Sequence, residues 1–331
     1  MTLARSRHDY DEDDVRVRPG RRGSRPRTRR RPAHESAAAG FVTAVDRGRY
    51  RCLVDGHQVT AMRARELGRK GVVVGDRVAL VGDISGEPDA LARIVRVEPR
   101  RSALRRTADD TDPFERIVVA NADRLVIVTA LADPEPRPRM IDRCLVAAHD
   151  AGMAPLLCLT KADLAAPGDL LAVYAPLEVP STVTRRGEDP AELRKLLAGQ
   201  VSVLVGHSGV GKSTLVNALV PEASRAVSQV NAVTGRGRHT SSSAIALELP
   251  DGGWIIDTPG VRSFGLAHVP PDGLVAAFPE LAEGAVHCPP NCDHLQPDCA
   301  LDNWVAQGHA SPGRLDSLRR LLAGRDEDPA G

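Results

Sequence analysis

Between residues 40 and 100 the apolar positions come in short runs, each broken by a turn signal. Gly40–Val45 and Tyr50–Val54 lead to an Asp55-Gly56 turn, and Val72–Leu80 and Ala92–Val97 follow. Five or so short strands in about 60 residues predict a small β-barrel of the OB-fold type, and an SH3-like barrel fits the pattern nearly as well. Near residue 115 the rhythm changes. Leu125–Thr129 reads as a buried strand, after which Met140, Ile141, Cys144, Leu145 and Ala148 recur at helical spacing up to a stop at Gly152. Pro155–Leu159 predicts a strand. Asp189-Pro190 opens a helix with Leu193, Leu196 and Leu197 on one face, and Val201–Val205 and Ser213–Val220 predict a strand and a helix. Ile245–Leu249 and Trp254–Ile256 flank a Pro-Asp-Gly-Gly turn and predict a hairpin. Strands alternating with helices imply a mostly parallel sheet covered on both faces, the α/β class. A last helix opens at Ser311-Pro312, carries Leu315, Leu318 and Leu322, and is expected to stop at Gly324.

The first 36 residues show no such period. They are acidic from Asp9 to Asp14, then carry nine arginines and no acid from Arg16 to Arg31. This composition predicts a disordered tail, either solubilising or an arm that contacts RNA phosphates. Over all 331 residues the net charge is only +1, and aromatic residues make up 3%, so the core must be built from Val, Leu, Ile and Ala. That length allows two or three domains. No apolar run approaches the roughly 18–20 residues that span a bilayer, and the start lacks the apolar stretch of a secretory signal. Of six cysteines, Cys52, Cys144 and Cys158 stand alone in apolar surroundings while Cys288, Cys292 and Cys299 cluster. This split predicts buried thiols and a metal site in a reducing cytoplasm, not a disulfide framework.

The strongest chemical signal is Gly206-His207-Ser208-Gly209-Val210-Gly211-Lys212-Ser213-Thr214, a phosphate-binding loop between an apolar strand and a helix. Its glycines let backbone N–H groups face phosphates, and the helix N-terminus adds positive potential. Lys212 is placed to reach the β- and γ-phosphates and Ser213 to ligate Mg²⁺. The base is addressed elsewhere. Thr160-Lys161-Ala162-Asp163 follows the strand Pro155–Leu159 and resembles a guanine-reading [NT]-K-x-D turn. A carboxylate there accepts from both the ring N–H and the exocyclic amine of guanine, donors that adenine does not offer. Asp257-Thr258-Pro259-Gly260 matches D-x-P-G, with Asp257 at the Mg²⁺ shell and Gly260 at the γ-phosphate. Cys288, Cys292, His294 and Cys299 supply three thiolates and one imidazole, enough for a closed, structural zinc site. His287 is an alternative ligand.

Order is informative: Asp163 precedes Gly206, the reverse of ordinary small GTPases. If both serve one site the domain is circularly permuted, which a fold with neighbouring termini tolerates. Together these motifs resemble the RsgA family of ribosome-small-subunit-dependent, circularly permuted GTPases, over about residues 38–323. Asn121-Ala122-Asp123, Ser181 before the Gly187 turn, and Gly237-Arg238-His239-Thr240 match as well.

The resemblance implies a tail at 1–36, an OB-fold at 37–104, a permuted GTPase domain at 105–268 and a zinc-binding module at 269–331. It implies that Ser181 contacts guanine, with Thr182 where the family has Ala. The first switch falls at Thr234–Ser243, where Thr240 contacts Mg²⁺ and the γ-phosphate, with Ser241 adjacent. The second falls at 260–266. Val261 stands where classical GTPases place a water-orienting Gln, so His239 becomes the candidate catalytic group beside Lys212. The family's Cys/His spacing is one residue longer in both long gaps. A cytoplasmic, monomeric GTP hydrolase is implied, without membrane contact, cycling between GTP and GDP and acting with the small ribosomal subunit and its rRNA. The barrel holds that RNA through arginines such as Arg63, Arg65, Arg69, Arg100, Arg101, Arg105 and Arg106. Two rivals are a slow-turnover, GTP-gated RNA-binding module and a P-loop ATPase acting on RNA.

Overall fold

The structure, a computed structural model, describes residues 36–46, 48–67, 71–107, 115–221, 244–258, 271–296 and 299–326. The basic tail, Arg69, the segments 234–243 and 260–266, and with them His239, Thr240, Gly260 and Val261, lie outside the described residues.

Five strands form the barrel: β1 (Ala38–Asp46), β2 (Arg49–Val54), β3 (His57–Arg63), β4 (Arg77–Gly82) and β5 (Ala92–Val97). They pair in the order β1-β2-β3-β5-β4 and close through β1–β4, with β3–β5 parallel. This long-range closure is the OB-fold arrangement, which decides between the two barrels the pattern allowed. Val42, Cys52, Val54, Val59, Leu80 and Ile94 fill it. Asp55 and Gly56 both take positive φ (46° and 84°), so the β2–β3 turn follows the strand twist. Val72–Leu80 is not one strand. The chain bends at Gly75, whose φ is +91°, and a Cβ there would lie 1.9 Å from the Ala120 carbonyl oxygen. Only glycine allows the barrel backbone to press so closely on the next domain.

A hairpin of β6 (Ala103–Thr107) and β7 (Glu115–Ala120) leads into the second sheet. That sheet, which runs on into the barrel where β12 pairs with β1, holds β8 (Arg124–Ala130), β9 (Ala154–Thr160), β10 (Ser181–Val183), β11 (Val201–Val205), β12 (Ile245–Glu248) and β13 (Trp254–Asp257), in the order β10-β9-β8-β11-β13-β12. All run parallel except β12, which forms an antiparallel hairpin with β13. Side chains alternate between its faces. Leu125, Ile127, Leu157 and Val203 pack on α1 (Pro138–Asp150) through Ile141, Cys144, Leu145 and Ala148. Val126, Val128, Leu156 and Leu204 pack on α3 (Ala191–Leu197) and α4 (Lys212–Leu219) through Leu193, Leu197, Leu215 and Leu219. Each such buried Leu or Ile contributes about 1.5–3 kcal/mol. A short α2 (Gly168–Tyr174) lies on the α1 side, where Leu170 and Tyr174 join the same apolar cluster.

Among the described residues four more helices follow: α5 (Pro271–Val275), α6 (Pro279–Ala285), α7 (Ala300–Ala306) and α8 (Pro312–Asp326). Leu274, Phe278, Leu281, Leu315 and Leu318 join the apolar cluster of α1, so this segment shares its core with the sheet. The Arg320 guanidinium spans both carboxylate oxygens of buried Asp142 (3.0 and 3.2 Å) and lies over the Tyr174 ring at 5.1 Å. The last helix runs through Gly324 to Asp326 instead of stopping. Glycine permits a left-handed stop but does not impose one, and inside a helix it costs only about 1 kcal/mol relative to Ala.

Candidate nucleotide and metal sites

Strand β11 is central, and the phosphate loop leaves its C-terminal end, where open α/β sheets bind ligands. Gly206 runs against β8 so tightly that a Cβ would fall 2.2 Å from the Val128 carbonyl oxygen. Gly211 caps α4 in the left-handed region at φ +95°. The Lys212 ammonium donates to the carbonyls of His207 (2.9 Å) and Gly206, which keeps its charge inside the loop. Ser213 and Thr214 occupy the exposed first turn of α4, while Val210 is buried beneath it. His207 is half-buried, with ring Nδ1 3.0 Å from the Ser208 carbonyl oxygen.

Asp257 ends β13 opposite Leu204. Burial pushes its carboxyl above the usual value, against the opposing pull of the nearby Lys212 charge and the Thr258 N–H. The Thr258 hydroxyl donates to the Leu204 carbonyl (2.8 Å), tying β13's end to the phosphate-loop strand.

The T-K-A-D turn leaves β9, two strands away from β11. The buried Thr160 hydroxyl lies 2.6 Å from the Val210 carbonyl oxygen and 3.2 Å from that of Thr129. It therefore links the T-K-A-D turn directly to the phosphate loop, across 50 residues of sequence. Lys161 turns the chain with φ +59°, and its ammonium donates to the Asp133 carbonyl. Ala162 N–H donates to the Thr184 carbonyl (3.2 Å), and Arg186 N–H lies 3.4 Å from an Asp163 carboxylate oxygen. Between these parts lies a cleft of about 320 Å³. Gly209, Gly211, Thr214, Leu215 and Ala218 form one wall, and Thr160, Lys161 and the Thr184–Glu188 segment form the other.

Ser181 is not brought to this cleft. It starts β10 opposite Leu157, at the far end from the turn. The residues that do line it after β10 are Thr184, Arg185 and Arg186, which the sequence reading passed over. The neighbouring Gly187 turn was the available signal, because a parallel strand presents ligand-contacting residues after its C-terminal end. Asn121-Ala122-Asp123, which matches the family, sits where barrel, hairpin and sheet meet. Asn121 accepts from Arg101 N–H (2.9 Å) and donates to the Gly75 carbonyl (3.0 Å), and Asp123 accepts from Val201 N–H (2.9 Å). The tripeptide fastens barrel, hairpin and sheet together. Of the arginines proposed for RNA, Arg100 is committed to fully buried Asp76 through Nε (2.7 Å) and Nη2 (2.8 Å).

Cys288, Cys292, His294 and Cys299 converge, with their ligand atoms all within 4.8 Å of one another. The Cys288 and Cys299 sulfurs are 3.4 Å apart, those of Cys292 and Cys299 3.8 Å, and His294 Nδ1 is 3.5 Å from both Cys288 and Cys299. A tetrahedron built on Zn–S and Zn–N bonds of about 2.3 and 2.0 Å has edges of roughly 3.5–3.8 Å, so this donor set fits zinc. The shortened spacing closes without His287, which is exposed and faces Trp304 (5.8 Å). Arg319 Nε donates to the His294 carbonyl (3.0 Å) while its Nη atoms pair with Asp302 (2.7 and 2.9 Å), bracing the cluster on α8.

Comparison with known proteins agrees with this geometry. The family model described as RsgA GTPase matches residues 97–267. Small ribosomal subunit biogenesis GTPase RsgA of Pseudomonas aeruginosa (strain LESB58) is 42% identical over 266 residues, covering 77% of this chain and 76% of that protein. Its namesake in Azotobacter vinelandii is 41% identical over 266 residues, with the same coverage of 77% and 76%. The crystal structure of YjeQ from Thermotoga maritima superposes with a TM-score of 0.64 at 25% identity, over 87% of this chain and 98% of that one. The structure of YloQ, described as a circularly permuted GTPase, has the same fold, with a TM-score of 0.63 at 22% identity over 88% of this chain and 96% of that one.

Proposed function

The chain belongs to the RsgA GTPase family, and from that premise we propose that it hydrolyses GTP on the small ribosomal subunit during that subunit's maturation. The observation that carries the nucleotide half of this reading is the Thr160–Val210 hydrogen bond, which unites a guanine-type turn and a phosphate loop around one cleft. Asp163 reads the base, with the Thr184–Glu188 segment as the facing wall. The Gly206–Thr214 loop and Lys212 hold the phosphates. Ser213, Thr240 and Asp257 offer hard oxygen donors suited to Mg²⁺, which when bound offsets the charge of the phosphate oxygens. Val261 cannot hydrogen-bond water, so we assign His239 to orient the attacking water, and hydrolysis without a partner is slow. That slowness also supports a second reading, a GTP-gated RNA-binding module with little turnover. Gly260 and Thr240 sense the γ-phosphate, and the segments 234–243 and 260–266 relax after hydrolysis.

The barrel (37–104) and the zinc-braced module (269–331) flank the GTPase domain (105–268) and hold ribosomal RNA. Exposed Arg63 and Arg65 suit phosphate contact, and Arg100 pairs with Asp76. One structural zinc, a monomeric state and a cytoplasmic site of action complete the proposal. Among the described residues, no helix is long and apolar enough to cross a membrane. Phosphate release from GTP, with and without purified small subunits, tests it. Strong stimulation supports the ribosome-dependent GTPase. Equal and negligible turnover in both, with GTP still bound, supports the gated module instead.

A further inference from the structure

The outer strand of the β12–β13 hairpin is not a free edge. β12 is covered by β1 of the barrel, with Ala44 opposite Ile245. Ile245 lies opposite Asp257, and Asp257 lies opposite Leu204 near the end of the phosphate-loop strand. One row of strand pairs therefore runs from β11 through Asp257 and Ile245 to Ala44, then on through Arg51 to Thr60 in the barrel. Beside this row Phe41 and Trp254 meet, ring centroids 5.0 Å apart and tilted by 49°. Phe41 precedes Ala44 by three residues on β1, and Trp254 precedes Asp257 by three on β13. On its other side, Trp254 N–H donates to the Gln200 carbonyl (2.7 Å), so the hairpin is gripped from the phosphate-loop strand and from the barrel.

We propose that Phe41, a barrel residue, is a positioning residue for the γ-phosphate and metal end of the GTP site, acting through Trp254 and the β12–β13 hairpin on Asp257. The inference rests on the GTPase reading above. The base turn leaves β9 and the phosphate loop leaves β11, and among the described residues neither strand pairs with the barrel, so both stand further along the sheet from Phe41 than the hairpin does. Asp257 sits on β13, whose partners among the described residues are β11 and β12, and β12 in turn leans on β1. A GDP complex, held by the turn and the loop, should therefore feel Phe41 less than a GTP–Mg²⁺ complex, which also needs Asp257. The segment assigned as the first switch ends two residues before β12, so the same ladder carries any change there into the barrel.

The test is a pair of titrations of the full chain, with GDP and with a non-hydrolysable GTP analogue plus Mg²⁺. A tilted aromatic contact of this kind predicts that Phe41→Ala weakens analogue binding by about 3- to 10-fold and leaves GDP within about 2-fold. Phe41→Tyr, which keeps the ring, should restore the wild-type ratio. Phe41→Leu, which keeps volume without the ring, should fall between and carries the test if the alanine variant does not fold. Trp254→Ala should reproduce the loss, and the double variant should lose no more than either single one. Equal weakening of GDP and analogue would reduce Phe41 to a structural role, and an unchanged ratio in every variant would overturn the proposal. Wild-type protein that binds neither nucleotide would sink the GTPase reading itself, a result distinct from binding that is indifferent to Phe41.

Discussion

Replacing Thr160 by valine keeps the shape of the side chain and removes one hydroxyl. Thr160 is 5% exposed, and its hydroxyl lies 2.6 Å from the carbonyl oxygen of Val210. Valine leaves this buried carbonyl without its donor, which costs about 1–3 kcal/mol. The cost divides between two observables. Where the two loops drift apart in the free protein, bound nucleotide must reassemble them and affinity falls. Where they stay together with an unmet acceptor, folding stability falls. If affinity bears all of it, the dissociation constant for GDP rises by about 5- to 150-fold. Titration of GDP, together with denaturant unfolding of the free protein, measures both shares. Their sum should reach at least about 1 kcal/mol. Thr160→Ser, which retains the hydroxyl, should recover most of the affinity. A valine variant indistinguishable from wild type in both measurements would show that the hydroxyl does not hold the base turn to the phosphate loop.

Two further outcomes follow from the site geometry. Burial raises the Asp257 carboxyl above its ordinary 3.8, so in the window between that value and the folded one the native chain binds the extra proton. Its ionisation costs stability as pH rises through the window, while Mg²⁺ needs the anion. In nucleotide-free protein the Asp257 carboxyl should therefore titrate above its ordinary 3.8 when its carboxyl carbon is followed by NMR, and Asp257→Asn should remove that signal; a titration at or below 3.8 would contradict it. Cys299→Ser, at the buried end of the metal cluster, should lower zinc content from one per chain. It should also lower the thermal midpoint by at least about 5 °C, since zinc binding energy stabilises the folded module; full zinc occupancy in the variant would refute the ligand assignment.

Much of the site was legible because it is local. The phosphate loop lies between its strand and helix in one continuous stretch, and the T-K-A-D turn directly follows an apolar run. The four metal ligands span twelve residues, so their convergence needed no long-range knowledge. What could not be read depends on contacts between distant segments. The choice of OB-fold rested on β1–β4 closure and the parallel β3–β5 pair. The register of β10 against β9 could not be read either; it puts Ser181 beside Leu157 and the Thr184–Arg186 segment at the turn. Val72–Leu80 read as one strand because a glycine's need to pass a backbone carbonyl at Ala120 leaves no trace in a hydrophobic pattern. The Asn121–Asp123 tripeptide looked like part of a functional signature. Its side-chain bonds reach Gly75, Arg101 and Val201, so its role is to join domains.

The central claim is that one guanine nucleotide is held at once by Asp163 and by the Lys212 loop. Competition of GTP, ATP and XTP against labelled GDP, in wild type and Asp163→Asn, addresses it most directly. The account predicts that GTP alone competes well in the wild type and that the Asn variant transfers its preference to XTP. Equal displacement by ATP in the wild type, or unchanged GTP selectivity in the variant, would contradict it.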